Sequence, residues 1–214
     1  MIFKVQPETS DVILFWNKST FHYSLFLAMA SNQSQILPRP PIRIDEGRQI
    51  VIASRPKQAA SPTANMFSVA PIPSSVLKKC NNLQPDEVLF TPLYFSVDPY
   101  LIRYFFTLWK QIPFSIAVTE VLASRSKEYP NGQRYLFREF PWTTVHVSTK
   151  TELDRLVKGG SLMPIPKESP PYDKFSPSEY LGALGLTGQT AYYGLLTTGA
   201  FKDGENLFVS GAAG

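Results

Sequence analysis

Nineteen prolines, strung from Pro7 to Pro177, limit this chain more than any other feature. A proline inside a helix removes a backbone donor and clashes with the preceding turn. Prolines this frequent cut the chain into short pieces. Only 18% of residues are charged, against the ~25% usual for globular chains, so coiled coils and long solvated helices are excluded. The 43% hydrophobic content is enough for a packed core. The 214 residues make one large domain or two modest ones.

The apolar runs between the prolines are short and rich in β-formers. A globular body begins near Arg48. Strands are expected at 49–53, 65–69, 87–97, 116–123, 133–137 and 143–147, with Pro130-Asn131-Gly132 as a turn. Pro92, inside the longest run, calls for an edge, a bulge or a break. About six short strands with turns between them suggest a small barrel or sandwich.

The character changes after Pro170-Pro171. Ser176-Pro177-Ser178-Glu179 is a capping-box pattern, opening a helix from Tyr180 to about Leu184. A second helix is expected over 190–196, with Gly199 at its C′ position. Lys202-Asp203-Gly204-Glu205 reads as a turn and 206–210 as a buried-type strand. Gly211-Ala212-Ala213-Gly214 follows. A buried strand leading into small residues is how a dinucleotide-binding βαβ unit begins. A plain small-residue tail is the alternative.

Residues 1–47 differ from the rest. The apolar run 24–30 follows polar Asn17-Lys18-Ser19-Thr20, and Pro38-Arg39-Pro40-Pro41 resists regular structure. Glu8, Asp11 and the long lead argue against a secretory signal, so the segment reads as an irregular extension or an unreliable start site. The apolar window 21–30 is far short of the ~20 residues that span a bilayer. One cysteine, Cys80, excludes an internal disulfide framework. With only His22 and His146 beside it, a cysteine-rich zinc site is excluded too, and no metal ligands are assigned. The net charge of +4 is scattered, without a basic stripe, so no nucleic-acid partner is expected.

Taken together, the segments resemble the zinc-independent medium-chain reductases, in the prostaglandin reductase (leukotriene B4 dehydrogenase-like) group. The matching stretches are Ser54-Arg55-Pro56, Leu93 to Tyr100, Val121 to Ser124, Pro141-Trp142-Thr143-Thr144, Leu184 to Leu196 and Val209 to Gly214. The most specific are Ser96-Val97-Asp98-Pro99-Tyr100 and Leu186-Thr187-Gly188-Gln189-Thr190-Ala191-Tyr192. The resemblance implies a mainly β chain: a GroES-like substrate-side domain over 48–171, then the first helices and first strand of an NADP-binding Rossmann domain over 172–214. It implies a cytoplasmic enzyme, a homodimer at full family length, NADPH as cofactor and a conjugated enone such as a 15-oxoprostaglandin as substrate. It also implies that the chain stops just inside the Rossmann fingerprint and by itself neither binds NADPH tightly nor turns over. The rivals are a non-catalytic shortened binding protein and a quinone reductase of the same superfamily. The chain departs from the family's pattern at Leu101-Ile102, where methionine-arginine is usual, and in the glycine-free aromatic stretch 101–110.

Reducing an enone requires a hydride aimed at the β-carbon and a donor for the developing enolate oxygen. Tyr100, leaving a strand through Asp98-Pro99, is the expected catalytic hydroxyl; a half-buried packing tyrosine is the alternative. Asp98 is expected to cap that turn. The resemblance places Thr187 and Thr190 at the nicotinamide and Ser210, Gly211, Ala212, Ala213 and Gly214 beneath the pyrophosphate. Thr187 is alternatively a helix N-cap. Arg138, Glu139 and Phe140 stand where relatives line the substrate cleft. His146 is expected to point outward into solvent, and Cys80 to be a bystander thiol in a loop.

Overall fold

The computed structural model describes residues 2–4, 44–54, 63–98, 100–101, 105, 111–166, 175–200 and 202. The 206–210 strand and Ser210 to Gly214 lie outside the described residues.

In chain order the first strands are β1 (Ile2–Lys4), β2 (Arg48–Ile52), β3 (Phe67–Pro71) and β4 (Val88–Ser96). Then follow β5 (Phe114–Ser124), β6 (Arg134–Pro141), β7 (His146–Ser148) and β8 (Leu162–Pro164). The main sheet has the order β1-β4-β5-β6-β8, with β7 also on β4. Every pairing in it is antiparallel. β2 and β3 form a separate antiparallel pair, joined to the sheet where Gln49 bridges Thr143. The described residues are thus mainly β.

Pro92 sits at a register shift of the β4–β5 ladder. On the other edge of β4 it falls between β7, which pairs up to Phe90, and β1, which pairs from Tyr94. The β5–β6 turn closes as its sequence requires. Gly132 takes a left-handed φ of 75° and Gln133 N–H donates to Pro130 O at 3.1 Å.

Both faces of the sheet are covered. On one, Phe90, Phe137 and Phe140 meet Leu153 and Leu156 of a helix over Lys150–Lys158. On the other, Leu89 and Val145 meet Cys80 of an earlier helix, Ser74–Asn81. We call these α2 and α1. Farther along that second face, Leu93, Val118 and Leu136 take Leu181 and Ile165.

Both helices are additions to the sequence expectations. Each is short and charged outside, so its apolar face shows only two or three residues. α2 is held by Thr149 as N-cap, which accepts from Glu152 N–H at 3.4 Å, and by Leu153 and Leu156, three apart on one face. Cys80 is therefore buried in a helix rather than carried on a loop. Burial pushes its thiol above the ordinary 9.0, so the nucleophilic thiolate is scarcer than in a free cysteine. Alkylation of the native chain should be roughly tenfold or more slower than that of the urea-unfolded chain; equal labelling rates would contradict this.

Three boundaries move. Regular structure reaches into residues 1–47, which were expected to be irregular: β1 pairs with β4, Ile44 packs on the α1 side and Gly47 is buried against Ile72. The helix expected from Tyr180 is a 3-10 turn over Pro177–Leu181, with Ser176 capping Ser178 N–H. The next helix, α3 (Leu186–Tyr192), starts four residues earlier than expected and continues as a wider π turn over Tyr193–Thr198. Gly199 ends it at φ −78°, right-handed rather than the left-handed C′ geometry expected.

Candidate active site at the end of strand β4

Tyr100 follows β4 by four residues. The buried hydroxyl of Ser96 donates to the Asp98 carboxylate. Leu101 N–H donates to Asp98 O at 3.1 Å. Asp98 therefore organises the turn. Beyond it the chain is pinned: Leu101 and Phe105 sink into a cluster with Ile52 and Trp142. Tyr100, 38% exposed, stays at the surface.

Phe105, in the aromatic stretch after Tyr100, is core. Phe105 meets Phe67 edge-on at 5.1 Å and Trp142 at 5.9 Å. Trp142 donates its indole N–H to the buried Ser115 hydroxyl at 2.9 Å. The Pro-Trp-Thr-Thr stretch is a joint. Arg48 N–H donates to Thr144 Oγ1 at 3.0 Å and Ile50 N–H to Trp142 O at 2.9 Å, which fastens β2 to the main sheet.

The residues expected to line the cleft have other work. Arg138, Glu139 and Phe140 lie where the β5–β6 ladder shifts register, and their side chains are placed differently. Phe140 is wholly buried, against Phe95, Phe137 and His146 at 5.9, 5.2 and 5.7 Å. Glu139 accepts from Arg155 Nη1 at 3.0 Å and Ser161 Oγ at 3.1 Å, which ties β6 to α2. Arg138 is exposed, and its backbone N–H donates to Ser161 O at 2.8 Å.

His146 does not point outward. It is partly buried, packs edge-on to Phe137 and Phe140, and its Nε2 lies 3.2 Å from Glu152 Oε1. Burial pushes the Glu152 carboxyl up, but the hydrogen bond and charge of His146, with help from Ser148 and Arg155, outweigh it. The net result is a pKa below the ordinary 4.5. A depressed carboxyl contributes stability above its unfolded pKa and loses it as pH falls through the folded one. Stability should therefore drop as pH falls below about 4.5. Glu152→Gln should flatten that part of a urea-midpoint profile, and an unchanged slope would refute the assignment.

Thr187 and Thr190 are exposed. Gly185, not Thr187, occupies the N-cap position of α3. Thr187 Oγ1 donates to Gly182 O at 2.9 Å, and Thr190 Oγ1 to Leu186 O at 2.7 Å. With their protons committed to carbonyls, these hydroxyls offer lone pairs only. That suits the N–H2 of a carboxamide and does not suit a phosphate or an enolate. Gly188 and Gly185 let the helix start press on the preceding turn. A Cβ on Gly188 would lie 1.8 Å from Ala183 O, and one on Gly185 2.3 Å from Tyr180 O.

A shallow cavity of about 540 Å³ lies between Tyr129, Tyr135, Val157 and Pro164. It is at the β5–β6 turn, which the antiparallel register puts at the opposite end of β4 from Ser96. It is thus separate from the Tyr100 turn. Burial, reinforced by Tyr129, pushes the Tyr135 phenol up to about 12. Among the described residues no helix is long and apolar enough to cross a membrane, and no three His, Cys, Asp or Glu side chains gather as a metal site would need.

The chain is similar in sequence and in fold to known reductases. The chain is 32% identical to the NADPH-dependent curcumin reductase of Escherichia coli, over 78% of this chain and 44% of that one. It is 34% identical to bovine prostaglandin reductase 1, over 62% of this chain and 37% of that one. The crystal structure of CurA in complex with NADPH from Vibrio vulnificus superposes with a TM-score of 0.53 at 28% identity, covering 74% of this chain and 42% of that one. No protein-family model matches. The chain belongs to the medium-chain dehydrogenase/reductase family, in its zinc-independent branch. It spans less than half the length of these relatives.

Proposed function

We propose that this chain supplies the substrate side of an NADPH-dependent reductase that saturates the C=C bond of conjugated enones, 15-oxoprostaglandins being one such class. On this reading residues 48–171 are a GroES-like domain and 172–214 open a Rossmann domain. The observation that carries the proposal is the partly exposed Tyr100 on a turn fixed at both ends. Support comes from the NADP-dependent relatives, among them prostaglandin and curcumin reductases.

NADPH, when bound, supplies the hydride. Thr187 and Thr190 would accept from its carboxamide, which fits their spent protons. Ser210, Gly211, Ala212, Ala213 and Gly214 would pass close to the pyrophosphate, as small residues allow. Tyr100 Oη donates a hydrogen bond to the carbonyl oxygen as enolate charge develops there. The packed cluster of Leu101, Phe105 and Trp142 anchors the turn that carries Tyr100.

The test is NADPH consumption by the protein isolated from its source at its native length, with an aryl enone and a quinone in parallel. Saturated ketone formed in step with NADPH loss supports the reading. Preference for the quinone, or no turnover with either, overturns it.

A further inference from the structure

We infer that Ser96 is a positioning residue for Tyr100: its hydroxyl, through the Asp98 carboxylate, sets the turn that presents the Tyr100 ring. The inference rests on the Tyr100 reading above and adds a residue to it.

Ser96 is the last residue of β4 and is 2% exposed. A hydroxyl buried that far needs a partner. It finds one two residues on, in the Asp98 carboxylate. That contact curls the chain as it leaves the sheet. The curl continues in the backbone bond from Leu101 N–H to Asp98 O at 3.1 Å, which makes Asp98 to Leu101 a four-residue turn with Tyr100 third. Leu101, 1% exposed, locks the far side of the turn into the aromatic cluster. Tyr100 is thus bracketed by a polar clip before it and an apolar anchor after it. The anchor fixes where the turn ends. The clip fixes the direction from which the chain enters, and with it the ring's position.

Two variants remove the clip from opposite sides, Ser96→Ala and Asp98→Ala; the second keeps the Asp98 carbonyl. The 214-residue chain is labelled with meta-fluorotyrosine, and the Tyr100 resonance is assigned by its loss in Tyr100→Phe. We expect it to stand away from the free amino acid position, and each variant to lose most of that displacement. The double variant should lose no more than either single one, since both break one contact. The other tyrosine resonances should stay in place, which shows that the sheet is intact. A Tyr100 signal unmoved by Ser96→Ala, or additive losses in the double variant, overturns the inference. Benzylideneacetone, an aryl enone, then probes the earlier reading separately. If it leaves the Tyr100 signal unmoved while Ser96→Ala still moves it, the positioning role stands and the substrate contact falls.

Discussion

Phe137→Ala should lower the unfolding free energy by about 3–5 kcal/mol, the range for emptying a large aromatic site in a core. Phe137 is 1% exposed and lies at the centre of the inner face. Its ring meets Phe90 and Phe140 edge-on at 5.7 and 5.2 Å and His146 at 6.1 Å. Those neighbours sit on three different strands, so they cannot collapse together into the gap. A urea titration should show a lower midpoint with an unchanged slope. Val69→Ala, at a position 45% exposed on β3, should change stability by no more than about 0.5 kcal/mol. Similar losses for the two would mean that the inner face is not the core.

The second large effect is local. Gly188→Ala places a methyl 1.8 Å from Ala183 O and 2.5 Å from Ala183 C. Both are backbone atoms, so no side chain can swing aside. The start of α3 must move, at a cost of about 3 kcal/mol. Because α3 and the π turn after it bury no residue, the damage should stay there. Amide exchange should quicken over residues 182–196 and stay unchanged in β4, β5 and β6. Gly194→Ala is the counterpart: its Cβ would meet nothing within 4 Å. That substitution should stabilise the helix by up to about 1 kcal/mol. If the two glycines behaved alike, the close approach at Gly188 would be wrong.

The candidate site was legible in outline. The strand–turn pattern before Tyr100 and the Asp98 cap could be read from local chemistry, because both act within five residues. The part played by Ser96 left a usable signal: a serine ending an apolar strand two residues before an aspartate. Other placements depended on packing. Arg138, Glu139 and Phe140 are expected at the cleft from the family resemblance alone; packing buries Phe140 and Arg155 ties Glu139 to α2. His146 looked solvated because Val-His-Val alternates, but α2 covers that face and brings Glu152 to it. Thr187, read alternatively as an N-cap from its place at a helix start, lies inside the helix: α3 begins at Leu186 with Gly185 at the N-cap position.

What this sequence determined by itself is the inventory of short elements. Its prolines forbid long helices, its β-branched and aromatic runs extend, and Gly132 turns where only a left-handed φ will serve. Each of these is a local steric or hydrogen-bonding preference, complete within a few residues. The tertiary structure alone decided which element covers which face. Ser115 and Trp142 are 27 positions apart, and Arg48 and Thr144 are 96 apart. Contacts over such separations come from the joint burial of two sheet faces, and no window of sequence carries that information.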